Sequence, residues 1–236
     1  MEGMIFAAGL GTRLRPLTND RPKAMVEVGG KPLLEHVILK MKVAGVERIV
    51  VNVHHFAGRV KDFLKDSGYL EQGVVVSDES DELMDTGGGL LKARHLFTPG
   101  EDVLIHNVDI CSRLDLKDLM AAHAGNYATL VVGEAKPGRG LRFNCRGILK
   151  GWENSLTGEQ KVVDDEFYNA QSYSFCGIHI VSGEFMKHIE GKGCFSIIDE
   201  YLTQAKKHEI RMYRYGGFFM DLGTPEAVMH ARGMMP

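Results

Sequence analysis

The sequence predicts an α/β protein whose sheet is doubly wound and mostly parallel. From residue 4 to residue 133, short apolar runs alternate with segments whose apolar residues recur at helical spacing. Strands buried on both faces carry such continuous runs. A strand, a helix and a second strand in succession form a crossover between parallel neighbours. The composition agrees, because 44% hydrophobic and 25% charged residues are typical of a chain that buries a core.

Five strands and four helices are predicted in this alternating region. The strands cover residues 4–8, 48–53, 74–77, 102–108 and 127–133, and the helices cover 32–44, 57–65, 87–97 and 116–123. In the first helix, Leu34, Ile38 and Met41 fall on one face. Gly45 follows this helix, at a position where glycine commonly ends a helix.

The chain after residue 133 is less regular. Residues 137–171 contain five glycines and only short apolar segments, which indicates an antiparallel excursion on the sheet. A strand at 173–181, a helix at 197–207, a strand at 210–215 and a helix at 225–232 are predicted to follow. Because no linker separates two parts of the chain, residues 1–236 are expected to form a single domain.

The composition also limits the class of function. A net charge of −3 argues against the strongly basic surface that is typical of nucleic-acid binding. No apolar run is long enough to cross a membrane, and the N-terminal run is too short for a signal peptide. The four cysteines form no CxxC pair, which indicates thiols in a reducing compartment. We therefore expect a cytoplasmic protein with no nucleic-acid partner and no membrane association.

The segment after the first predicted strand is the strongest functional signal. Its sequence, AAGLGTRLRPLT, places Gly9, Gly11, Arg13 and Arg15 directly behind a buried strand. Glycines let backbone N–H groups approach a phosphate, and arginines bind phosphate oxygens through paired hydrogen bonds. A plain tight turn with surface arginines is the alternative.

A dinucleotide-binding loop competes for the same glycines. That loop has the pattern G-x-G-x-x-G and an acidic residue at the end of the second strand. Here Leu14 stands at the third glycine position, and the second strand ends at Asn52, Val53 and His54 without an acid. An NAD-dependent oxidoreductase is therefore the less favoured interpretation.

Three motifs in succession resemble those of one enzyme family. AAGLGTRLRPLT, then RPKAM at 21–25 and GKPLL at 30–34, resemble the signature of the sugar-phosphate nucleotidyltransferases, which make NDP-sugars. The family includes mannose-1-phosphate guanylyltransferases and, as a short form, N-acetylmuramate-1-phosphate uridylyltransferases. The resemblance implies a Rossmann-like three-layer α/β/α sandwich, the nucleotide-diphospho-sugar transferase fold. It also implies that a nucleoside triphosphate and a sugar 1-phosphate react to give an NDP-sugar and pyrophosphate.

The resemblance assigns a nucleotide site residue by residue. Lys23 matches the lysine of the family's P-K-x-[ML] motif. Arg13 and Lys23 are expected to contact phosphate oxygens during catalysis. LMDTGGG at 83–89 resembles the family's loop beside the nucleobase, and a helix start capped by Asp85 or Thr86 is compatible with the same residues. The expected nucleotide-binding residues are Ala8, Gly9, Gly11, Thr12, Arg13, Thr86, Gly87, Gly88 and Asn107.

Two aspartates are expected to bind Mg²⁺. Asp109 follows the strand at 102–108, where the family places a metal ligand, although Val108 replaces the family's usual glycine. Asp221 lies in FFMDLGTP, which resembles the family's W-x-D-x-G-T-P with Phe219 in place of tryptophan. Mg²⁺ prefers carboxylate, phosphate and water oxygens. The alternatives are a helix cap at Asp109 and a turn residue at Asp221.

The sugar site is assigned to the second half of the chain. The resemblance implies sugar contacts from Glu153 and from Ser174 and Gly177, which lie in a strand expected to floor the site. Long forms of the family carry a lysine for the sugar phosphate, and Asn154 stands at that position here. Short forms also lack this lysine. Another cation must then hold the sugar phosphate, and the candidates are Arg139 and Arg142.

The predicted reaction is in-line attack of a sugar-phosphate oxygen on the α-phosphorus of the nucleotide. A phosphate monoester is already a competent nucleophile, so the protein needs to orient the reactants and neutralise charge. UTP and GTP are the favoured nucleotides, and the sugar stays open. A non-catalytic regulatory or binding relative on the same fold is the alternative, although its phosphate loop would be degraded. Because the chain lacks a long C-terminal extension, a monomer or a homodimer is expected.

Overall fold

The computed structural model describes residues 1–234, and a mixed sheet of ten strands runs through them. The strands are β1 (Glu2–Phe6), β2 (Glu27–Val28), β3 (Lys31–Pro32), β4 (Ile49–Val53), β5 (Val74–Asp78), β6 (Val103–Asn107), β7 (Ile110–Ser112), β8 (Ala128–Gly133), β9 (Arg139–Phe143), β10 (Leu149–Asn154), β11 (Gln160–Val162), β12 (Gln171–Val181), β13 (Ile210–Arg214) and β14 (Phe219–Asp221). The α-helices are α1 (Leu33–Val43), α2 (Ala57–Asp66), α3 (Asp85–Ala93), α4 (Leu116–His123), α5 (Gly183–Lys187), α6 (Ile197–Gln204) and α7 (Pro225–Met234).

Seven strands form the main part of the sheet, in the order β5-β4-β1-β6-β12-β8-β13. β1 pairs in parallel with β4 and β6, β4 with β5, and β8 with β13. β12 is antiparallel to both β6 and β8, so the other six strands point the same way. The predicted mostly parallel, mixed sheet is confirmed. The carboxyl ends of β1, β4, β5 and β6 all meet at one edge.

Helices cover both faces of this sheet, and each face has its own apolar core. One core contains Leu34 of α1, Leu64 of α2 and Leu119 of α4, which are fully buried. The other contains Leu90 of α3 and Tyr201 of α6. The predicted three-layer α/β/α sandwich is therefore confirmed. Within residues 1–234, none of the helices is both long and apolar enough to span a bilayer.

Three smaller sheet regions accompany the main part, and one of them is the antiparallel pair β2–β3, in which Glu27 lies opposite Pro32. β9, β10 and β11 pair antiparallel and join the edge of β12 at residues 171–173, so the antiparallel strands fall within residues 137–171. β7 and β14 pair antiparallel as a separate two-stranded unit, which we call the β7–β14 ribbon. The sequence analysis did not predict this ribbon, because strands of three residues carry too few positions for a periodic pattern.

Some element boundaries differ from the sequence prediction. β1 ends at Phe6 and not at Ala8, because the N–H of Ala7 donates to Oδ1 of Asn52 at 2.7 Å instead of to a neighbouring strand. The helix predicted at 197–207 ends at Gln204. The carbonyl O of Gln204 accepts from the N–H of Lys207 at 2.9 Å, which closes a turn after the helix. The helix predicted at 87–97 begins two residues earlier and continues after residue 93 as a short 3₁₀ turn.

Candidate functional site

A cavity of about 390 Å³ opens at the edge of the sheet where four parallel strands end. Most of its walls come from residues at or just after the ends of β1, β4, β5 and β6 and from the start of α3, and Lys23 and Cys194 complete them. Among the residues assigned from the sequence, the cavity is lined by Ala8, Gly9, Lys23, Thr86, Asn107 and Asp109. Open parallel sheets bind ligands at this edge, so this cavity is the candidate active site.

The loop after β1 is folded back against the following residues. Gly11 has a φ of 63°, and a Cβ there would lie 3.0 Å from Cγ2 of Thr18 and 3.2 Å from Cβ of Lys23. The buried hydroxyl of Thr18 donates to the carbonyl O of Gly11 at 2.8 Å. Thr12 and Arg13 follow, with exposed side chains, in a short 3₁₀ helix. Glycine at position 11 therefore lets the loop pack closely while residues 12 and 13 stay accessible.

Lys23 and Asp109 form an ion pair in the cavity. Nζ of Lys23 donates to Oδ2 of Asp109, and each side chain is 13% exposed. Burial and the nearby charge of Asp109 raise the pKa of Asp221, and Lys23 and Arg13 oppose this rise. A Cβ on Gly223 would lie 2.8 Å from Nη2 of Arg13 and 2.8 Å from Oδ1 of Asp221. The fold thus brings Arg13, Lys23, Asp109 and Asp221 into one cluster of charges.

The β7–β14 ribbon explains how two aspartates that are distant in sequence meet. Asp109 directly precedes β7, Asp221 ends β14, and the pairing sets Asp221 opposite Ile110. The N–H of Leu222 donates to the carbonyl O of Asp109 at 2.8 Å, which continues the pairing past both aspartates. Oδ1 of Asp221 also accepts from the N–H of Gly223 at 2.8 Å. Both carboxylates are therefore carried by one hydrogen-bonded backbone unit.

The two carboxylates fit a divalent cation of the Mg²⁺ type. Besides burial, the charge of Asp109 raises the pKa of Asp221, and a bound cation would relieve this repulsion. Mg²⁺ typically takes one or two carboxylates and completes its shell with phosphate oxygens and waters. Residues 1–234 contain no cluster of three or more His, Cys, Asp or Glu side chains that could hold a metal alone. An open site of two carboxylates suits a metal that enters together with a nucleotide.

The glycines at the start of α3 lie behind the cavity wall. The N–H groups of Gly87 and Gly88 donate to the carbonyl O of Phe195 at 2.9 and 3.2 Å. A Cβ on Gly88 would lie 2.3 Å from the carbonyl O of Gly193. The sequence analysis placed both glycines beside the nucleobase. In the structure their N–H groups are already hydrogen-bonded to Phe195. Three residues of this motif were assigned to the nucleotide. Thr86 lines the cavity, and Gly87 and Gly88 do not.

The sequence analysis missed polar residues in the cavity wall. Glu79, just after β5, is fully buried, and burial raises the pKa of its carboxyl. Its Oε1 accepts from Nδ2 of Asn52 at 2.8 Å, and its Oε2 has no hydrogen-bond partner in the part of the chain that the structure describes. Cys194 also lines the cavity, with an exposed thiol. One sequence feature could have pointed to this buried polar pair: Asn52 is a polar residue inside the apolar run RIVVNV.

The residues assigned to the sugar are divided between two places. Gly177 lies directly against the cavity wall, because a Cβ there would be 2.6 Å from Nδ2 of Asn107. As far as the described residues go, Glu153 and Ser174 are not part of the cavity lining. Oγ of Ser174 accepts from the N–H of Lys136 at 3.0 Å. Gly177 therefore packs behind Asn107, a lining residue of the candidate cavity, whereas Ser174, three residues earlier on β12, and Glu153, on β10, lie away from the lining.

Arg142 is held within the β9–β10 strands. Its Nη1 donates to Oε2 of Glu153 at 2.8 Å, and its Nη2 donates to the carbonyl O of Ala170. Burial acts to raise the pKa of Glu153, but hydrogen bonds from Arg142 and Ser172 bring it below its usual range. Since Arg142 already has these partners, Arg139, which is exposed on β9, is the better candidate to bind a sugar phosphate.

Comparison with known proteins identifies the family. The profile of the nucleotidyl transferase family matches residues 2–143, which is more than half of the chain. The chain belongs to this family. The predicted class of enzyme, a nucleotidyltransferase, is therefore confirmed.

Individual relatives and solved structures give a more specific comparison than the family profile. N-acetylmuramate alpha-1-phosphate uridylyltransferase of Caulobacter vibrioides is 33% identical over 98% of this chain and 96% of its own length. Mannose-1-phosphate guanylyltransferase 1 of Arabidopsis thaliana is 28% identical over 95% of this chain, which spans 62% of the plant protein. The structure of HddC from Yersinia pseudotuberculosis complexed with GMP-PN has a TM-score of 0.79 at 22% identity, covering 100% of this chain and 99% of that one. The resemblance to sugar-phosphate nucleotidyltransferases and the predicted fold are both confirmed.

Proposed function

We propose that this protein condenses a nucleoside triphosphate with a sugar 1-phosphate, releasing pyrophosphate and an NDP-sugar. The observation that carries the proposal is the convergence of Arg13, Lys23, Asp109 and Asp221 beside one cavity. Two cationic side chains next to two carboxylates suit a triphosphate that binds with a divalent metal. The bacterial relative is an N-acetylmuramate alpha-1-phosphate uridylyltransferase, and this chain spans 96% of its length. That relative's activity supports the same type of reaction here.

The reaction asks the site for orientation and charge neutralisation. An oxygen of the sugar phosphate attacks the α-phosphorus, and the bond from that phosphorus to the oxygen bridging the β-phosphate breaks. The sugar phosphate is a nucleophile at neutral pH, so no side chain has to remove a proton. Arg13 and Lys23 orient the triphosphate and neutralise the negative charge that spreads over its oxygens. Ala8, Gly9, Gly11 and Thr12 are proposed to lie along the phosphates.

Asp109 and Asp221 are the proposed ligands of Mg²⁺. When bound, Mg²⁺ would supply additional neutralisation of phosphate charge. The chain's own contribution is to fix the two carboxylates on the β7–β14 ribbon and to leave space at Gly223 for the guanidinium of Arg13.

The nucleobase is proposed to lie near Asn52, Glu79 and Thr86, which line the same cavity as Lys23 and Asp109. The Oε2 of Glu79 has no hydrogen-bond partner among the described residues, and when the carboxyl is ionised and turned toward the cavity it accepts from an N–H group. Uracil and guanine carry an N–H on the ring nitrogen of their pairing edge, whereas adenine and cytosine carry a lone pair there. A lone pair facing an ionised carboxyl would leave both groups without a hydrogen bond, whereas only a protonated carboxyl would donate to that lone pair. This chemistry favours UTP or GTP over ATP or CTP.

The sugar 1-phosphate is proposed to lie over Gly177 and against the antiparallel strands that carry Glu153 and Ser174. Arg139 is the proposed partner of its phosphate. The relatives suggest which pairs to test first. UTP with N-acetylmuramate 1-phosphate follows the bacterial relative, and GTP with mannose 1-phosphate follows the plant relative.

The proposal is tested by measuring pyrophosphate release over a grid of nucleoside triphosphates and sugar 1-phosphates. We expect release with UTP or GTP and at least one sugar phosphate, and loss of release when EDTA removes the metal. Lys23→Ala should abolish most turnover, whereas Lys42→Ala, at a half-buried lysine of α1 that donates to the carbonyl O of Gln72, should not. Nucleotide binding without pyrophosphate release from any pair would instead favour a non-catalytic relative.

A further inference from the structure

A lysine on α1 reaches across to the β7–β14 ribbon. Nζ of Lys40 donates to the carbonyl O of Ser112 at 2.6 Å and to its Oγ at 2.9 Å. Ser112 ends β7, so it lies at the opposite end of the ribbon from Asp109 and Asp221. We infer that Lys40 is a positioning residue that sets the place of the two metal-binding aspartates. This inference rests on the proposed function, because it takes the aspartates as metal ligands.

A second cavity, of about 190 Å³, separates α1 from the ribbon. α1 forms one wall, and the other wall includes Val108 and Ile110, on either side of Asp109, and Leu222, next to Asp221. Side chains that line a void lack packing partners on that side. Packing between α1 and the aspartate-bearing backbone is therefore incomplete. The two hydrogen bonds from the lysine span this gap and determine how closely the ribbon approaches the helix.

α1 is a firm support for such a contact. Its residues Leu34, Ile38 and Met41 are fully buried in the core. The donor is a charged ammonium, and hydrogen bonds from charged donors are about twice as strong as neutral ones. Removing the ammonium would leave two oxygens of Ser112 without these hydrogen bonds, next to an unfilled space. The ribbon would then lose its polar attachment to the helix without any change to the aspartates themselves.

The test compares Lys40→Met with Lys42→Met. Methionine keeps a long unbranched side chain but has no N–H donors. Lys42 is a matched control, because it lies on the same helix and donates to the carbonyl O of Gln72 at 2.7 Å, not to the ribbon. Mn²⁺ binding is measured by electron paramagnetic resonance in the presence of UTP and, separately, of GTP. The Mg²⁺ concentration for half-maximal pyrophosphate release is measured alongside.

We expect Lys40→Met to weaken Mn²⁺ binding by about 10-fold or more, which is typical when a group that orients metal ligands is removed. The Mg²⁺ requirement should rise by a similar factor, and Lys42→Met should match the wild type in both measurements. Lys40→Arg, which keeps charged donors, should recover part of the loss. Ser112→Ala, which removes one of the two acceptors, should give a smaller loss.

Two outcomes would overturn the inference: wild-type Mn²⁺ binding in Lys40→Met, or an equal loss in Lys42→Met. If Lys40→Met does not fold, as judged by circular dichroism, Ser112→Ala decides the question by the same binding measurement. Asp109→Asn separates this inference from the proposed function. Unchanged Mn²⁺ binding in Asp109→Asn would remove the proposed metal site itself. Weakened binding in Asp109→Asn with normal binding in Lys40→Met would remove the role of Lys40 alone.

Discussion

Replacing Gly223 with alanine is expected to damage activity far more than stability. The new Cβ would lie 2.8 Å from Nη2 of Arg13 and 2.8 Å from Oδ1 of Asp221. Favourable contacts of a methyl carbon begin at about 3.5 Å, so each of these atoms has to retreat by roughly 0.7 Å. The substitution therefore acts directly on one phosphate-binding and one metal-binding side chain of the proposed site.

The cost of this retreat differs between folding and catalysis. Arg13 is exposed, and its guanidinium can move away with little loss, so the free energy of unfolding should fall by less than about 1 kcal/mol. Asp221 is less free, because its Oδ1 accepts from the N–H of residue 223 at 2.8 Å. A misplacement of about 1 Å in an active site costs on the order of 10²-fold in rate. We therefore expect kcat to fall by roughly 10- to 100-fold.

Steady-state pyrophosphate release and urea unfolding, measured on the same preparation, check this prediction. Gly216→Ala is the control, since a Cβ there would meet no heavy atom of residues 1–234 within 4 Å. A wild-type kcat in Gly223→Ala would refute the placement of Arg13 and Asp221 in the reacting site. An equal loss in Gly216→Ala, at a residue that lies before β14 and away from both charged side chains, would show that the effect is not specific to Arg13 and Asp221.

Three further outcomes are expected. Asp109→Ala should lower kcat by about 10²-fold or more while the circular dichroism spectrum stays native, and a near-normal rate would contradict its role. Gly88→Ala should lower the free energy of unfolding in urea by about 1–3 kcal/mol, because its Cβ would lie 2.3 Å from a backbone oxygen, and unchanged stability would contradict this packing. Burial lowers the pKa of His106 from 6.5 to about 4 and that of His179 from 6.5 to about 3, so between pH 6.5 and 4 the unfolded chain binds protons that the folded chain does not. The free energy of unfolding should therefore fall on acidification through this range, by about 1.4 kcal/mol per pH unit for each histidine, and His179→Phe should reduce that slope by about half. Because the raised pKa values of Glu79 and Asp221 act in the opposite direction, the decisive comparison is between the wild type and His179→Phe, and equal slopes in the two would contradict the burial of His179.

The sheet could be predicted from the sequence because its strands carry a local pattern. All five residues of β1 and all five of β4 are buried, so each strand appears as a mostly apolar run, although β1 begins with Glu2 and β4 contains Asn52. The β7–β14 ribbon has no such pattern, because each strand has three residues and the pairing joins distant parts of the chain. The ribbon matters most for the site, since it carries Asp109 and Asp221. The motifs suggested both aspartates, but only the fold supplies the hydrogen-bonded unit that holds them.

The same distinction applies to the side chains of the cavity. Gly11, Arg13 and Lys23 were found because they lie in two short motifs that follow one another closely in the sequence. Glu79 was not found, because it lies in the acidic stretch DESDE, which is typical of a solvated surface. Its burial depends on contacts with β4 and α3 that form only in the folded chain. In the structure it accepts from Asn52 at 2.8 Å, and a Cβ on Gly89 of α3 would lie 2.8 Å from its Oε1.

A motif glycine shows that something approaches closely, but the sequence does not say what approaches. At Gly88 the neighbour is the backbone oxygen of Gly193, and at Gly223 it is the guanidinium of Arg13 together with the carboxylate of Asp221. A backbone oxygen cannot move without displacing its segment, whereas an exposed guanidinium can. Alanine at position 88 should therefore lower stability first, and activity only through it. Alanine at position 223 should lower activity while stability is kept, so the two substitutions together distinguish a packing glycine from one that makes room for charged groups of the site.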